Sequence, residues 1–339
     1  MTSDFPDLQT QLQANINQKT KPLGALGRLE TLALQIGLVF ETLTPEIHNP
    51  TILIFAADHG IAQSGVSAYP QSVTAQMVLN FLNGGAAINV FARQHNLNLK
   101  IIDAGVNAEF SPHENLVNLK IGYGTQNFLN APAMTLEECE KALKSGASIV
   151  QELNESGCNC VGLGEMGIGN TASAAVLMHL FTQIPLDECV GRGTGLNDEQ
   201  LANKRNLLRQ AVENYPDLKS PIEILTTFGG FECAMMAGAY LQAAKLKMLI
   251  LVDGFVSSVA LLVAQQFNSH VLDYCIFSHV GSEHGHRALL SYFQAKPLLD
   301  LEMRLGEGSG IALAYPLIQS AILFLNEMAT FEEAGVDKA

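Results

Sequence analysis

Tryptophan is absent from the 339-residue sequence, and charged residues make up only 15% of it. Cationic side chains are especially scarce, since 19 Lys and Arg stand against 33 Asp and Glu and the formal net charge is −14. The low charge content and the 48% apolar residues exclude a disordered chain or a coiled coil. The negative charge argues against nucleic acid as a partner, because it repels phosphate backbones. Any phosphate group bound here must be held by local geometry.

Disulfide chemistry and membrane insertion are also disfavoured. The six cysteines include no C-x-x-C pair, and we interpret the close pair Cys158 and Cys160 as buried, reduced thiols in a strand. The first residues lack the basic and apolar blocks of a secretory signal. The most apolar stretches, 248–252 and 311–325, are short or interrupted by Pro316, which predicts no membrane span. We expect a cytoplasmic protein with no membrane partner.

One local pattern recurs along the middle of the chain. A short β-branched run is followed by a loop with Gly or Asp, at 51–56, 99–102, 159–163, 248–252 and 271–277. Continuous apolar strands of this kind are buried on both faces, as in a parallel sheet. The sequence therefore predicts an α/β fold, with a mostly parallel Rossmann-like sheet and helices on both faces. Ligands of such sheets bind at the carboxyl ends of the strands.

The two ends of the chain have helical patterns, unlike its middle, where strands are predicted. Residues 4–17, 28–40 and 311–330 predict helices, the last with a kink at Pro316, and no strand is predicted near them. We expect these segments to pack together. The predicted division is a small helical domain from residues 1–40 and 305–339, beside a large α/β domain from residues 41–304.

A glycine-rich turn follows the third predicted strand. Residues 162–167 match G-x-G-x-x-G, but Glu165 inside the motif would repel a pyrophosphate, which argues against a dinucleotide site. The overlapping residues Gly167, Gly169, Asn170 and Thr171 offer backbone N–H groups and a hydroxyl at a helix N-terminus, which suits one phosphate group. The alternative is a tight turn in which Asn170 or Thr171 only caps the helix.

A second glycine-rich loop has similar chemistry. Gly193, Thr194 and Gly195 allow backbone amides to approach a ligand closely, and Lys204 follows on a predicted helix. Lys204 would add a positive charge to a bound phosphate. The alternative is a plain loop with Lys204 on a solvated helix face.

Glu307 lies between two glycines in a third loop, before the C-terminal apolar helix. Glycine on both sides lets a substrate press against the carboxyl group and leaves little water there. Loss of water raises a carboxyl pKa toward the range of a general base. In the alternative, Ser309 caps the helix and Glu307 only complements its dipole.

The segment 67–81 offers a flat apolar slot for a planar heteroaromatic ligand. Tyr69, Met77 and Phe81 would form its surfaces, and Ser67 or Gln76 would donate a hydrogen bond at its edge. The alternative assigns Met77 and Phe81, which are four residues apart, to the core of the protein.

Histidines and acidic residues leave a metal site open. Asp58, His59, His279 and His284 are the residues that a metal hydrolase would use. No H-E-x-x-H pattern is present, and structural hydrogen bonds or substrate contacts are the alternative for these side chains.

Taken together, these segments resemble the nicotinate-nucleotide–dimethylbenzimidazole phosphoribosyltransferase family, which assembles the lower ligand of cobalamin. Nine matching segments occur in order over nearly the whole chain, which makes the resemblance highly specific. They are KPLGALGRLE (21–30), AADHGIAQSGVSAYP (56–70), NFLNGGAAINVFAR (80–93), GEMGIGNTASAA (164–175), GRGTGLND (191–198), GGFECAMMAGA (229–239), DGFVSSVAL (253–261), SHVGSEHGHR (278–287) and LDLEMRLGEGSGIALA (299–314).

The resemblance implies a homodimer and a specific reaction. Phosphoribose moves from nicotinate mononucleotide to 5,6-dimethylbenzimidazole or a related base with inversion, which gives α-ribazole 5′-phosphate and nicotinate and requires no metal or other cofactor. Glu307 matches the catalytic base of the family, and Glu165 matches a glutamate beside the base and the ribose. The loops at 167–171 and 191–195, with Lys204, match the parts that hold the nucleotide.

The resemblance also implies that the segment 67–81 contributes to the dimethylbenzimidazole pocket. Ala172 departs from the pattern, since relatives often carry a hydroxyl residue there, and this puts one ligand contact in doubt. Two other functions stay open on the residues alone, namely a metal-dependent hydrolase and a non-catalytic nucleotide-binding module.

Overall fold

The computed structural model describes residues 7–193 and 195–337, in which six parallel strands form one sheet in the order β3-β2-β1-β4-β5-β6. The prediction of an α/β fold with a parallel sheet is therefore confirmed. The strands are β1 (Thr51–Ala57), β2 (Asn98–Gly105), β3 (Leu116–Asn118), β4 (Cys160–Met166), β5 (Leu249–Val252) and β6 (Cys275–Phe277).

Helices cover the sheet and connect its strands. The α-helices are α1 (Leu8–Gln18), α2 (Arg28–Val39), α3 (Ser72–Leu82), α4 (Ala87–Gln94), α5 (Leu136–Glu155), α6 (Asn170–Thr182), α7 (Leu186–Cys189), α8 (Asp198–Glu213), α9 (Pro221–Phe228), α10 (Phe231–Lys245), α11 (Phe255–Phe267), α12 (His286–Tyr292), α13 (Ser309–Glu327) and α14 (Phe331–Ala334). Two 3₁₀-helices span Gly60–Ser64 and Ser269–Tyr274.

The alternation of side chains along β1 explains why both faces of the sheet are covered. Every residue of β1 is buried. Leu53 and Phe55 point to one face and pack with α5, α6, α10 and α11, whereas Ile52 and Ile54 point to the other and pack with α1, α2 and α13. All six cysteines are buried free thiols, as predicted for Cys158 and Cys160.

Two predictions about secondary structure were wrong in part. The run 271–277 was predicted as one strand, but only Cys275–Phe277 is extended. The residues before it form a 3₁₀-helix because Asn268 accepts hydrogen bonds from the N–H groups of His270 and Val271. The short strand β3, which pairs with β2, was not predicted.

Segments from both ends of the chain contact each other, although the predicted division into two domains stays a prediction. Lys19 forms an antiparallel bridge with Thr330, and its Nζ donates to the carbonyl of Met328 at 2.7 Å.

The helix α13 runs without a break through Pro316. It is long and apolar enough to span a membrane by length and composition, but 56% of its apolar window is buried inside the protein.

The close packing of α5 on α10 yields a prediction about stability. A Cβ atom on Gly146 would lie 1.8 Å from the carbonyl oxygen of Met235. We therefore expect Gly146→Ala to lower the free energy of unfolding by about 1–3 kcal/mol or more, since backbone cannot move aside easily. Urea unfolding measures this, with the exposed Ser148→Ala on the same helix as control. Equal stability of the two variants would contradict the packing described.

Candidate active site

Two carboxyl groups meet at the carboxyl end of β4. Glu165 is near the end of this strand, Glu307 lies in the turn before α13, and both are buried. A Cβ atom on Gly306 would lie 2.6 Å from Oε1 of Glu165, so the turn passes directly over that carboxyl group. A Cβ atom on Gly164 would lie 2.5 Å from the backbone nitrogen of Gly308. The strand and the turn approach so closely because Gly164 has no side chain.

The turn that carries Glu307 has an unusual backbone. Gly306, Glu307 and Gly308 have φ angles of +82°, +64° and +76°. Two glycines adopt this conformation without strain, but a left-handed glutamate costs roughly 1–2 kcal/mol. Strained residues of this kind cluster at functional sites. The conformation points to a functional reason for a glutamate at position 307.

Burial controls the protonation of both carboxyl groups. Burial raises the pKa of Glu307 to about 7, and the charge of Asp253 acts in the same direction. Burial also raises the pKa of Glu165 well above its ordinary value, and the charges of Asp253, Glu232 and Glu307 add to this effect. A hydrogen bond from Nδ2 of Asn170 to Oε2 of Glu165 opposes it. A carboxyl group with a pKa near 7 suits general-base catalysis at neutral pH.

The two glycine-rich loops are joined by Lys204. This side chain is fully buried, and its Nζ donates to Oγ1 of Thr171 at 3.1 Å and to the carbonyl of Gly191 at 3.3 Å. Burial lowers the pKa of Lys204 to about 8, although the Glu283 carboxylate opposes the shift. The alternative of a solvated lysine is therefore wrong. The cation lies beside Gly193, whose Cβ would be 3.6 Å from Nζ.

The first loop opens the helix α6, as predicted. Gly169 precedes it with a φ of +102°, and no side chain caps its first turn. The side chain of Asn170 instead donates to Glu165, so the alternative in which Asn170 or Thr171 caps the helix is wrong. The N–H groups of Asn170 and Ala172 donate to the carbonyls of Gly167 and Gly169, and those of Gly169 and Thr171 remain to suit an anion. In the second loop, Gly195 has a φ of +117°, and Thr194 lies outside the described residues.

One cleft joins these parts, since it is lined by residues of both glycine-rich loops and of the turn before α13. Six residues singled out from the sequence line it, and Glu307 follows the lining residue Gly306 in the chain. These six are Glu165, Gly167, Asn170, Thr171, Gly193 and His279. The cleft is also lined by residues that were not predicted for it, among them Phe255, Glu283 and Arg304.

The segment predicted to hold an aromatic ring flanks this cleft without lining it. Oγ1 of Thr74 on α3 accepts a hydrogen bond from the N–H of Ile168, which ties the helix to the first loop. Ser67 is half-buried and accepts from the N–H of Tyr69, whose ring is exposed. Gln76 is exposed, and Met77 packs partly buried against the core. The role of these four residues stays a prediction.

The histidines have separate partners. His59 is fully buried and lies 2.7 Å from Glu232, and the neighbouring Asp58 accepts from the N–H of Asn107. His279 contacts Oγ of Ser278 at 3.0 Å. Within residues 7–193 and 195–337, no group of three or more His, Cys, Asp or Glu side chains is placed to hold a metal ion.

Comparisons with known proteins agree with this arrangement. A family model described as "Phosphoribosyltransferase" matches residues 3–336. The nicotinate-nucleotide–dimethylbenzimidazole phosphoribosyltransferase of Cupriavidus taiwanensis is 57% identical to this chain, over 98% of this chain and 96% of the relative. The enzyme of the same name from Photobacterium profundum is 50% identical, over 98% of each chain. A crystal structure of CobT from Thermus thermophilus matches with a TM-score of 0.95 and 40% identity, over 98% of this chain and all of that one. The comparisons support neither a metal hydrolase nor a non-catalytic module.

The raised pKa of Glu307 predicts how stability depends on pH. Between its ordinary value of 4.5 and about 7, the unfolded chain releases a proton that the folded protein keeps, so this residue makes folding less favourable as pH rises. We expect Glu307→Gln to stabilise the protein relative to wild type by an amount that grows from pH 4 to pH 8, up to about 3 kcal/mol. Urea unfolding across this range measures it. A constant difference between the two proteins would contradict burial of an ionisable Glu307.

The contact between β4 and the turn predicts a loss of activity on adding one methyl group. Gly164→Ala would push against the backbone of residues 307–308, so we expect a fall of about 100-fold in kcat from misplacement of Glu307. Gly162→Ala is the matched control, since its methyl group would meet the movable side chain of Ile311 at 2.9 Å. Steady-state kinetics compares them, and similar activities would refute the importance of this contact.

Proposed function

Because this chain belongs to the nicotinate-nucleotide–dimethylbenzimidazole phosphoribosyltransferase family, we propose that it transfers phosphoribose from nicotinate mononucleotide to 5,6-dimethylbenzimidazole. The products are α-ribazole 5′-phosphate and nicotinate, and the reaction belongs to the assembly of the cobalamin nucleotide loop. The observation that carries the proposal is the buried Glu307, with a pKa of about 7, beside a cleft that ends in two glycine-rich loops.

The reaction replaces one C–N bond at the anomeric carbon by another. The bond to the pyridinium nitrogen breaks, and its electron pair leaves with nicotinate, so no general acid is needed for departure. An unprotonated nitrogen of the benzimidazole attacks from the opposite face, which converts a β-nucleotide into an α-product in a single displacement. The protein contributes mainly by holding donor and acceptor in line.

Glu307 is the general base of this proposal. The attacking ring becomes cationic as its new bond forms, and its N–H proton must leave. The Glu307 carboxylate accepts that proton, and a pKa of about 7 lets it do so at neutral pH. Glu165 supports the reaction from the end of β4, where its carboxyl group accepts a hydrogen bond from Asn170 and lies under the turn that carries Glu307.

The glycine-rich loops hold the nucleotide. The N–H groups of Gly169 and Thr171 at the start of α6 bind the phosphate together with the backbone of Gly193 and Gly195, and Asn170 contributes its side chain. Lys204 holds the two loops together through Thr171 and the carbonyl of Gly191 and adds a positive charge. Thr194 and Gly167 complete the set of nucleotide contacts that we propose.

The acceptor base is held on the side of the cleft that faces α3. Ser67, Tyr69, Gln76 and Met77 surround the ring in this proposal. The support is the hydrogen bond from Ile168 to Thr74, which fixes α3 against the loop that lines the cleft. A related planar base would make the same contacts.

We further propose that the protein is a cytoplasmic homodimer with a small helical domain built from both ends of its chain. Large apolar side chains such as Leu23, Leu301 and Leu305 are exposed in the single chain and offer surface for a second copy. Light scattering of the purified protein measures its oligomeric state.

Replacing the base tests the function directly. We expect Glu307→Gln to lower kcat at least about 100-fold while the affinity for nicotinate mononucleotide changes little, since the phosphate contacts are elsewhere. The wild-type rate should rise with pH through about 7 as Glu307 ionises. Assays of nicotinate release, and calorimetry for binding, measure both quantities.

The matched control is Glu302→Gln, an exposed residue of the same segment. Full turnover by Glu307→Gln would rule out the assigned role. Absence of nicotinate release by the wild-type protein with every base tested would rule out the function itself.

A further inference from the structure

Asp253 accepts hydrogen bonds from the backbone next to Glu307. It follows β5 directly and is 1% exposed. Its Oδ2 accepts a hydrogen bond from the N–H of Gly308, and its Oδ1 accepts one from the N–H of Gly310, both at 3.0 Å. One carboxylate thus binds the backbone immediately after Glu307 twice.

The turn needs such an anchor for two reasons. Glu307, the left-handed non-glycine residue of the turn 306–308, has a strained backbone that persists only where its surroundings hold it. In addition, α13 has no side-chain cap of its own, so its first N–H groups require another acceptor. Asp253 supplies that acceptor from the neighbouring strand, and its negative charge also favours the positive end of the helix dipole.

Asp253 also sets the charge around the base. The titratable groups around Glu307 are Asp253 after β5, Glu165 on β4 and His279 after β6, whose Nδ1 is 3.8 Å from Oδ1 of Asp253. Beyond the effect of burial, the Asp253 carboxylate raises the pKa of Glu307. The anchor of the turn is therefore also a like charge beside the base.

We propose that Asp253 is a positioning residue for the transfer reaction, which holds Glu307 at the anomeric carbon through the Gly308 and Gly310 amides and keeps a second negative charge beside it. The inference rests on the function proposed above. In this proposal the reactivity of Glu307 depends on Asp253, which follows β5 and is distant from Glu307 in the sequence.

Asp253→Asn tests both parts, because asparagine keeps the shape and one acceptor oxygen but loses the charge. We expect kcat to fall by about 10- to 100-fold with the KM for nicotinate mononucleotide unchanged. The acidic limb of the pH profile of kcat/KM should move down by about one unit, since the like charge is gone. The substrates titrate in the same way in the assay of every variant. Their effect on the pH profile of kcat/KM therefore cancels when two variants are compared.

The matched control is Asp103→Asn. Asp103 is also a buried aspartate in a parallel strand, and it accepts from the N–H of Val106 at 3.0 Å and pairs with Lys120, away from the cleft. This variant should lose stability and keep the wild-type pH profile. An equal movement of the acidic limb in both variants would overturn the proposal, because it would reflect general destabilisation.

Asp253→Glu gives a second reading if Asp253→Asn does not fold. It retains the charge but displaces the carboxylate by one methylene group, so kcat should fall while the acidic limb stays in place. Wild-type kcat in either variant, or an unmoved limb in folded Asp253→Asn, would overturn the role of Asp253. The proposed function fails separately, if the wild-type protein itself releases no nicotinate.

Discussion

Burial of the Glu307 carboxyl group beside other carboxyl groups is the constraint on which the site depends. The charge of Asp253 raises the pKa of both Glu165 and Glu307, and burial removes the water that would screen it. Such a group releases its proton near neutral pH and is then a stronger base than an exposed glutamate. Burial of Glu307 therefore lowers the stability of the folded protein as pH rises, and it also makes the carboxylate a stronger base.

The fold supplies the conditions for that burial. The six strands of the described residues are parallel, so the ends of β4, β5 and β6 reach the same edge of the sheet. Glu165 lies at the end of β4, and Asp253 and His279 come after β5 and β6. The turn before α13 lies over this edge and excludes water from it. The start of α6 and Gly193 also line the cleft, and the buried Lys204 lies next to both, since its Nζ donates to Thr171 and is beside Gly193.

The fold could be predicted from the sequence, and several of the candidate site residues line one cleft, because strands and glycine-rich loops depend on local patterns. Apolar runs that end in glycine or acidic residues mark five of the six strands, whereas β3 has only three residues and is held by pairing with β2. Asp253 was placed after a strand, but its role could not be predicted, since its hydrogen-bond partners are 55 and 57 residues further along the chain. Burial of Lys204 likewise depends on tertiary packing, and its sequence position suits a solvated helix face equally well.

The central claim is that Glu307 is a desolvated carboxyl group that ionises near neutral pH. Infrared titration of the free protein with ¹³C-labelled glutamate side chains measures this directly, when the spectrum of Glu307→Gln is subtracted from that of the wild type. The account predicts a carboxyl band that converts to carboxylate with a midpoint near pH 7. A midpoint near the ordinary value of 4.5 would contradict it.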